Sequence, residues 1–494
     1  MSATPLSVRQ PFAPSRGLIL ALAAITLFRL WAAAVIPLTE DEAYYRLWAA
    51  TPQFGYFDHP PMIAWWIALG RAIAGDTPLG VRLVPVLSST AASLMLLDLA
   101  AQLGASRAVA QRAALWSCAT FLIGAGGVLA VPDSGSAPFW VLTLCCLART
   151  QLKPGLRWWA AAGVAAGLAC LSKYSALFLA PGAVLWLASD AQRRKSLATP
   201  GPWLAALLAA AVFSPNIVWN AQHHWLTFAK QFGRVAPGRL APGYVIELVV
   251  GQALLLNPLI TAFLVAAARR RESGGPQLGL VWATTAPFAA YLLVHALHDR
   301  VQAHWPVPLY PGLALAAAVG AERWATPLAG GLRRAVAPVG LGLSALALLH
   351  LALPQTDLPR GRDPAEAVRG WPAFAAGVDR IRAAGGAAWI GTLSYGVTGQ
   401  LAAQAQTHAP VVGLVERARY PAADPSWGAD LARPGLVVDL QRRGSTTTLG
   451  RCFAWVRDLG PLDRAQGGRQ AHYEAWLVAH PTAMSLAGGC RPLQ

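Results

Sequence analysis

From residue 17 to about residue 353 the chain alternates long apolar stretches with short polar connections. Many of the apolar runs are ~17–25 residues long, the length a helix needs to cross a hydrocarbon core about 30 Å thick. Candidate spans fall at 17–37, 79–101, 113–131, 136–150, 157–171, 174–189, 202–219, 244–267, 278–297, 306–322 and 335–353, about eleven in all. The runs 157–171 and 174–189 are short and joined by a tight turn, so that hairpin need not cross fully. After residue 354 the texture changes to short apolar runs separated by Arg, Asp, Pro and Gly, which marks a domain boundary. The pattern predicts an α-helical polytopic membrane part over 1–354 and a small α/β domain over 355–494. In that tail, strand-like runs at 387–393, 410–414, 436–440 and 453–456 alternate with helix-like stretches such as 394–406.

The first apolar run lies where a signal peptide would, but it is longer than a typical core of ~7–15 residues. No small-residue cleavage site follows it, so it reads as a retained span. Composition agrees with the pattern. The chain of 494 residues is 55% hydrophobic and 13% charged, with mean hydropathy +0.42. Soluble domains carry roughly 25% charged residues, so a soluble globular chain is excluded.

The formal charge of +17 is scattered rather than gathered into a basic face, and it implies no nucleic-acid partner. Its distribution says more than its sum. One set of alternate connections holds Arg9 and Arg16; Arg107 and Arg112; Lys153 and Arg157; Arg193, Arg194 and Lys195; Arg269, Arg270 and Arg271; and Arg323, Arg333 and Arg334. Short basic connections stay in the cytoplasm. The N-terminus is then cytoplasmic, and the tail and the other connections lie outside. Two outer connections, 39–78 and 220–243, are too long for turns and mix aromatics, His and apolar residues as interfacial helices do. Cys452 and Cys490 would face an oxidising compartment and could pair.

Thr39-Glu40-Asp41-Glu42 ends the first span with three adjacent carboxylates, which repel one another if desolvated. A solvated helix end is one reading of them. The continuation Tyr56-Phe57-Asp58-His59-Pro60-Pro61 favours a second, because Pro at a helix start fixes how Asp58 and His59 face that helix. Two carboxylates and an imidazole in one outer loop could supply a general base and an orienting group. They could also hold a divalent cation, with Asp41, Asp58 and His59 as candidate ligands. Lys173 is either a snorkelling helix-end lysine or a phosphate contact. His295, His298, Asp299, Arg300, Gln302 and His304 crowd one outer turn. The spans hold few charges, Asp98 and Glu247 being the main ones, and no inverted repeat is evident, which weighs against a lipid or sugar transporter.

Asp41-Glu42-Ala43-Tyr44-Tyr45, followed by Gly55-Tyr56-Phe57-Asp58-His59-Pro60-Pro61, resembles the first outer loop of bacterial family-39-type GT-C glycosyltransferases. These are relatives of the protein O-mannosyltransferases and of the lipid A aminoarabinose transferase. The stretches 167–174, 214–223 and 302–306 also match in order and spacing. The resemblance implies a polyprenyl-phosphate-linked sugar as donor, an outward-facing site and an inverting transfer. It implies Asp41 as the catalytic carboxylate with Glu42 as its neighbour. Lys173, Arg300, His304, Tyr56 and His59 would serve the donor phosphate, and Asp58, Tyr44, Tyr45 and His223 would orient the acceptor. The aminoarabinose transferase has Glu-Lys where this chain has Asp58-His59, so its acceptor and sugar do not carry over directly. The bacterial-looking motifs and the Arg-rich composition point to a Gram-negative inner membrane, and the resemblance implies a glycolipid acceptor of lipid A type or, alternatively, a protein acceptor.

Overall fold

The computed structural model describes residues 10–152, 155–233, 240–269, 277–324, 326–353, 363–420, 427–466 and 469–490. Arg9, Lys153, Arg270, Arg271 and the expected boundary at residue 354 lie outside the described residues. The chain forms two compact units that are not contiguous in sequence. The first comprises Met1–Ala33, Asp58–Ile63 and Arg82–Leu348; the second comprises Ala34–Phe57, Ala64–Val81 and Leu349–Gln494.

The first unit is helical, and the protein is a multi-pass membrane protein. Five helices among the described residues are long and apolar enough to cross a membrane: Arg16–Val35, Pro78–Gln102, Pro200–Gln222, Gly279–Ala296 and Pro327–Ala352. Three bent pairs raise this to eight at most, against about eleven apolar runs in the sequence. The bends reach 72°, 116° and 104°, and they divide several runs into shorter helices. At one of them Asn257 takes φ +83°, and its side chain accepts from the Leu259 N–H at 3.0 Å while donating to the Val336 carbonyl at 3.2 Å. A broken span frees backbone groups that lipid cannot satisfy.

Arginine solves the same problem at a second break. Arg29 is fully buried and donates to the carbonyls of Gly124 (3.0 Å) and Ile123 (2.6 Å), where the bent pair Arg107–Cys118 and Phe121–Val128 turns. Arg149 pairs with Asp98, which also accepts from Gln102 at 3.1 Å. Arg82 is buried too and donates to the Ala33 carbonyl at 3.2 Å. Intramembrane charge therefore extends beyond the expected Asp98 and Glu247.

In the second unit, β1 (Trp389–Thr392), β2 (Val411–Gly413), β3 (Gly435–Leu440), β4 (Phe453–Gln466) and β5 (Arg469–Pro481) form one sheet ordered β2-β1-β3-β5-β4. β1 is parallel to both β2 and β3, while β5 is antiparallel to β3 and β4. Successive strand residues point to opposite faces. Ile390, Leu436, Val438 and Tyr473 accordingly pack with Trp371, Phe374 and Val378 on one face. Trp389, Val437, Phe453 and Trp476 pack with Leu414 and Leu449 on the other, where Cys452 and Cys490 form a disulfide. The sheet contains the four expected strand segments. The run expected at 453–456 continues to residue 466 and pairs with β5, which the sequence pattern had not revealed.

The helix Glu40–Ala50 and most of the helix Met62–Ala74 cluster with this sheet rather than with the spans that flank them. The Tyr395–Ala403 helix lies directly on Glu40–Ala50. A Cβ on Gly399 would stand 2.7 Å from the Tyr44 nitrogen, so only glycine permits this approach of two backbones. Gln400 adds a buried bond to the Leu38 carbonyl at 2.7 Å.

Candidate active site

In the second unit the acidic run begins a helix. Thr39 is its N-cap: the Thr39 side chain accepts from the Glu42 N–H, and the Glu42 carboxylate accepts from the Thr39 N–H at 2.9 Å. This reciprocal capping box satisfies two donors at the helix start. Glu42 is completely buried in it. Glu40 is turned to the Gly396 backbone; burial raises its pKa, opposed by Arg443 and Arg464. Asp41, between them, is partly exposed and accepts from the Tyr395 hydroxyl at 3.0 Å. Local capping thus separates three adjacent carboxylates into different environments.

Tyr44 and Tyr45 are buried in an aromatic group with Trp48, at centroid distances of 4.9 and 4.8 Å from it. Tyr56 stacks flat on Trp48 at 4.5 Å. Its hydroxyl donates to the Trp48 carbonyl (3.1 Å) and accepts from the Gln53 N–H (2.9 Å), which closes the loop after the helix. Burial pushes the Tyr56 phenol up to about 12, so it stays protonated. These bonds give Tyr56 a structural task at the position where the sequence suggested a phosphate contact. Arg419 lies over the rings of Phe57 (4.6 Å), Tyr395 (5.1 Å) and Tyr44 (6.0 Å). A guanidinium so placed is attracted to ring faces.

In the first unit, Lys173 ends the helix Leu156–Ser172 and Asp133 begins the helix Pro132–Thr150. A cation at a helix C-terminus and an anion at an N-terminus each suit the helix dipole. Gly135 lets the two ends meet, since a Cβ there would strike the Ser172 hydroxyl at 2.7 Å. Lys173 Nζ donates to both Asp133 oxygens at 2.7 and 2.8 Å, and the pair is almost wholly buried. His304 Nε2 stands 3.8 Å from the same carboxylate with half of its side chain exposed. Desolvation pushes the His304 imidazole below its ordinary value; Asp133 opposes this and Lys173 reinforces it.

Asp58 is buried in this unit, and its backbone carbonyl accepts from Gln231 at 2.5 Å, while His59 is half-buried. Arg300 is exposed and pairs with Glu247 at 2.5 Å. His223 is occupied locally: its Nδ1 lies 2.7 Å from the Trp219 carbonyl and its ring stacks on Trp219 at 4.0 Å. Among the described residues no three His, Cys, Asp or Glu side chains form a group able to hold a metal ion. Asp41 falls in one compact unit, and Asp58 and His59 in the other.

Sequence reasoning missed Asp133, Tyr395 and Arg419 as site residues. Asp133 carried a signal, an acid after Pro132 at a helix start following an apolar run. Tyr395 carried none, being 354 residues from its partner Asp41.

Residues 58–219 match the family described as dolichyl-phosphate-mannose-protein mannosyltransferase. The chain is 26% identical over 322 residues to the lipid A galacturonosyltransferase of Rhizobium johnstonii, covering 60% of this chain and 63% of that one. It is 28% identical over 279 residues to a polyprenol-phosphate-mannose–protein mannosyltransferase of Mycolicibacterium smegmatis, covering 48% of this chain and 54% of that one. The chain thus spans less than two thirds of the length of these curated relatives. Among solved structures, ArnT from Cupriavidus metallidurans bound to undecaprenyl phosphate superposes with a TM-score of 0.64 at 15% identity, over 95% of this chain and 100% of that one. The fold is that of the GT-C glycosyltransferases. In sequence the chain is similar to the lipid A galacturonosyltransferase, and in fold to ArnT.

Proposed function

We propose that the protein is an inverting membrane glycosyltransferase that moves a sugar from a polyprenyl-phosphate carrier to an envelope glycolipid of lipid A type. The observation that carries this reading is the Lys173–Asp133–His304 group, a buried cation with an imidazole beside it, in a fold shared with a protein that binds undecaprenyl phosphate. In the reaction the acceptor hydroxyl oxygen bonds to the anomeric carbon, and the bond from that carbon to the phosphate oxygen breaks. Asp41 takes the acceptor proton as general base. Lys173, with His304 and Arg300, takes up the negative charge of the departing lipid monophosphate. Tyr44, Tyr45, Asp58, His59 and His223 shape the surroundings in this assignment. No cofactor is required by it.

The lipid A acceptor rests on the galacturonosyltransferase relative. The basic connections support an orientation, and the Cys452–Cys490 disulfide fits an oxidising compartment. We place the N-terminus in the cytoplasm and the 355–494 domain in the periplasm of a Gram-negative inner membrane. A protein acceptor is the second reading, favoured by the family match over residues 58–219.

The test compares wild type with Asp41→Asn in proteoliposomes containing polyprenyl-phosphate sugars, envelope lipids and periplasmic proteins. Mass spectrometry then follows donor loss and acceptor gain. Transfer to lipid by wild type alone supports the reading. A mass gain on protein moves it to the second acceptor, and equal transfer by both forms removes Asp41 as the base.

A further inference from the structure

We infer that Tyr395 is a positioning residue for Asp41, held in place by the Arg419 guanidinium, so that the C-terminal part of the chain shapes the reacting carboxylate. The inference rests on the proposed role of Asp41 as general base.

Three observations support it. The Tyr395 hydroxyl donates to Asp41 Oδ1 at 3.0 Å. A bond to one carboxylate oxygen fixes the plane of the carboxyl group and leaves the second oxygen's direction defined. Tyr395 is also the first residue of the Tyr395–Ala403 helix, whose N-cap Ser394 accepts from the Val397 N–H. Its backbone is therefore anchored at the point where the ring departs. Finally, the ring is held from two sides, with Tyr44 at 4.9 Å and the Arg419 guanidinium at 5.1 Å.

Arg419 is itself fixed. Its Nε donates to Glu416 at 2.5 Å, and its backbone carbonyl accepts from the Trp48 indole at 3.3 Å. The segment carrying it is tied down by the Glu416 N–H bond to the Gly488 carbonyl at 3.0 Å. A misplacement of about 1 Å can cost ~100-fold in rate, so a base on a flexible carboxyl benefits from such a restraint. A tyrosine suits the task because its phenolic O–H is a donor on a rigid ring.

The experiment uses the full chain in proteoliposomes and three variants: Tyr395→Phe, Asp41→Asn and the double variant. Tyr395→Phe keeps the ring between Tyr44 and Arg419 and removes only the donor. Losing one hydrogen bond to a charged group should lower kcat about 10- to 100-fold. Donor KM should change less than about twofold, because binding is untouched. In the Asp41→Asn background, Tyr395→Phe should change the residual rate by less than about twofold, since coupled residues are non-additive. Equal losses in both backgrounds would instead mean a purely structural role and overturn the inference.

A readout independent of transfer separates this inference from the proposed function. The infrared difference between wild type and Asp41→Asn isolates the Asp41 carboxylate stretch. Tyr395→Phe should shift that band, and Arg419→Met should broaden it. An unshifted band in Tyr395→Phe sinks the positioning role even if wild type transfers sugar. A shifted band in a protein that transfers nothing keeps the contact and discards the glycosyltransferase reading.

Discussion

Lys173 sets its ammonium group between the two oxygens of Asp133, at 2.7 and 2.8 Å, with little of either side chain exposed. Removing one partner of such a pair leaves an uncompensated buried charge and costs about 3–5 kcal/mol. Lys173→Met and Asp133→Leu should each lower the melting temperature in detergent, and the double variant should recover much of the loss. Transfer should stay low in all three if Lys173 serves the donor phosphate as proposed, because that cation is then missing or misplaced. A double variant that regained transfer would reduce the pair to a packing device.

Glu42 and Asp41 should respond differently to loss of charge. Glu42→Gln keeps an acceptor for the Thr39 N–H, so transfer should remain within a few-fold of wild type. Glu42→Ala removes the capping box and should destabilise by about 1–2 kcal/mol. Asp41→Asn should leave the melt unchanged and lower transfer at least ~100-fold. Side-by-side melts and rates would check the contrast.

Gly399→Ala forces a Cβ to within 2.7 Å of the Tyr44 nitrogen and 2.8 Å of the Ala43 carbonyl carbon. Backbone gives way poorly, so the cost should be about 1–3 kcal/mol. Gly396→Ala meets only side-chain atoms of Glu40, Oε2 at 2.3 Å, Cδ at 2.7 Å and Cβ at 3.0 Å, and should cost less because the carboxylate can swing aside while Cβ gives by a few tenths of an ångström. Thermal melts of the two variants would rank them.

Asp439 is fully buried at the end of β3 and accepts the Leu393 N–H at 2.6 Å. Burial pushes its carboxyl up to about 6, against the backbone bonds that favour the charged form. The folded state therefore binds a proton that the unfolded state has released between about pH 4 and pH 6. Its contribution to stability is present below that window and is lost as pH rises through about 6. Wild type should thus gain on Asp439→Asn as pH falls from 7 to 4. The gain is about 1.4 kcal/mol for every tenfold difference in proton affinity between the folded and unfolded chains. A melting difference that stays constant across this range would contradict the assignment.

The Cys452–Cys490 bond adjoins, through residues 488–490, the backbone of the segment that holds Arg419. Gly489 bridges to Val415, and the Cys490 N–H donates to the Leu414 carbonyl at 3.3 Å. Cys490→Ser should destabilise by about 2–4 kcal/mol. If the strut reaches Tyr395 through Glu416 and Arg419, dithiothreitol should also lower kcat of wild type while leaving Cys490→Ser unaffected.

The spans were legible because the preference of an apolar run for lipid is a local property of each segment. Their number was less so. Breaks such as that at Asn257 depend on a partner for the freed backbone groups, and those partners lie far along the chain. Asp41, Tyr56 and Lys173 could be singled out because each sits in a short motif beside a helix end. What each does could not be read the same way. The motif does not distinguish the buried capping of Glu42 from the more exposed Asp41, and nothing near residue 41 points to Tyr395. The sequence boundary after residue 354 likewise left residues 34–57 and 64–81 with the membrane part, whereas they cluster with the C-terminal residues.

That clustering has a bearing on biosynthesis. The Trp48 indole bonds to a carbonyl 371 residues later in the chain, and the Asp41 carboxylate to a hydroxyl 354 residues later. At ~5–20 residues per second, a ribosome needs on the order of 20–70 s to deliver those partners. Through that interval Tyr44 lacks the rings of Tyr395 and Tyr420, and the Trp48 indole lacks its carbonyl. A chain truncated before residue 395 never supplies them, so this short helix completes its packing only when the last fifth of the chain has been made.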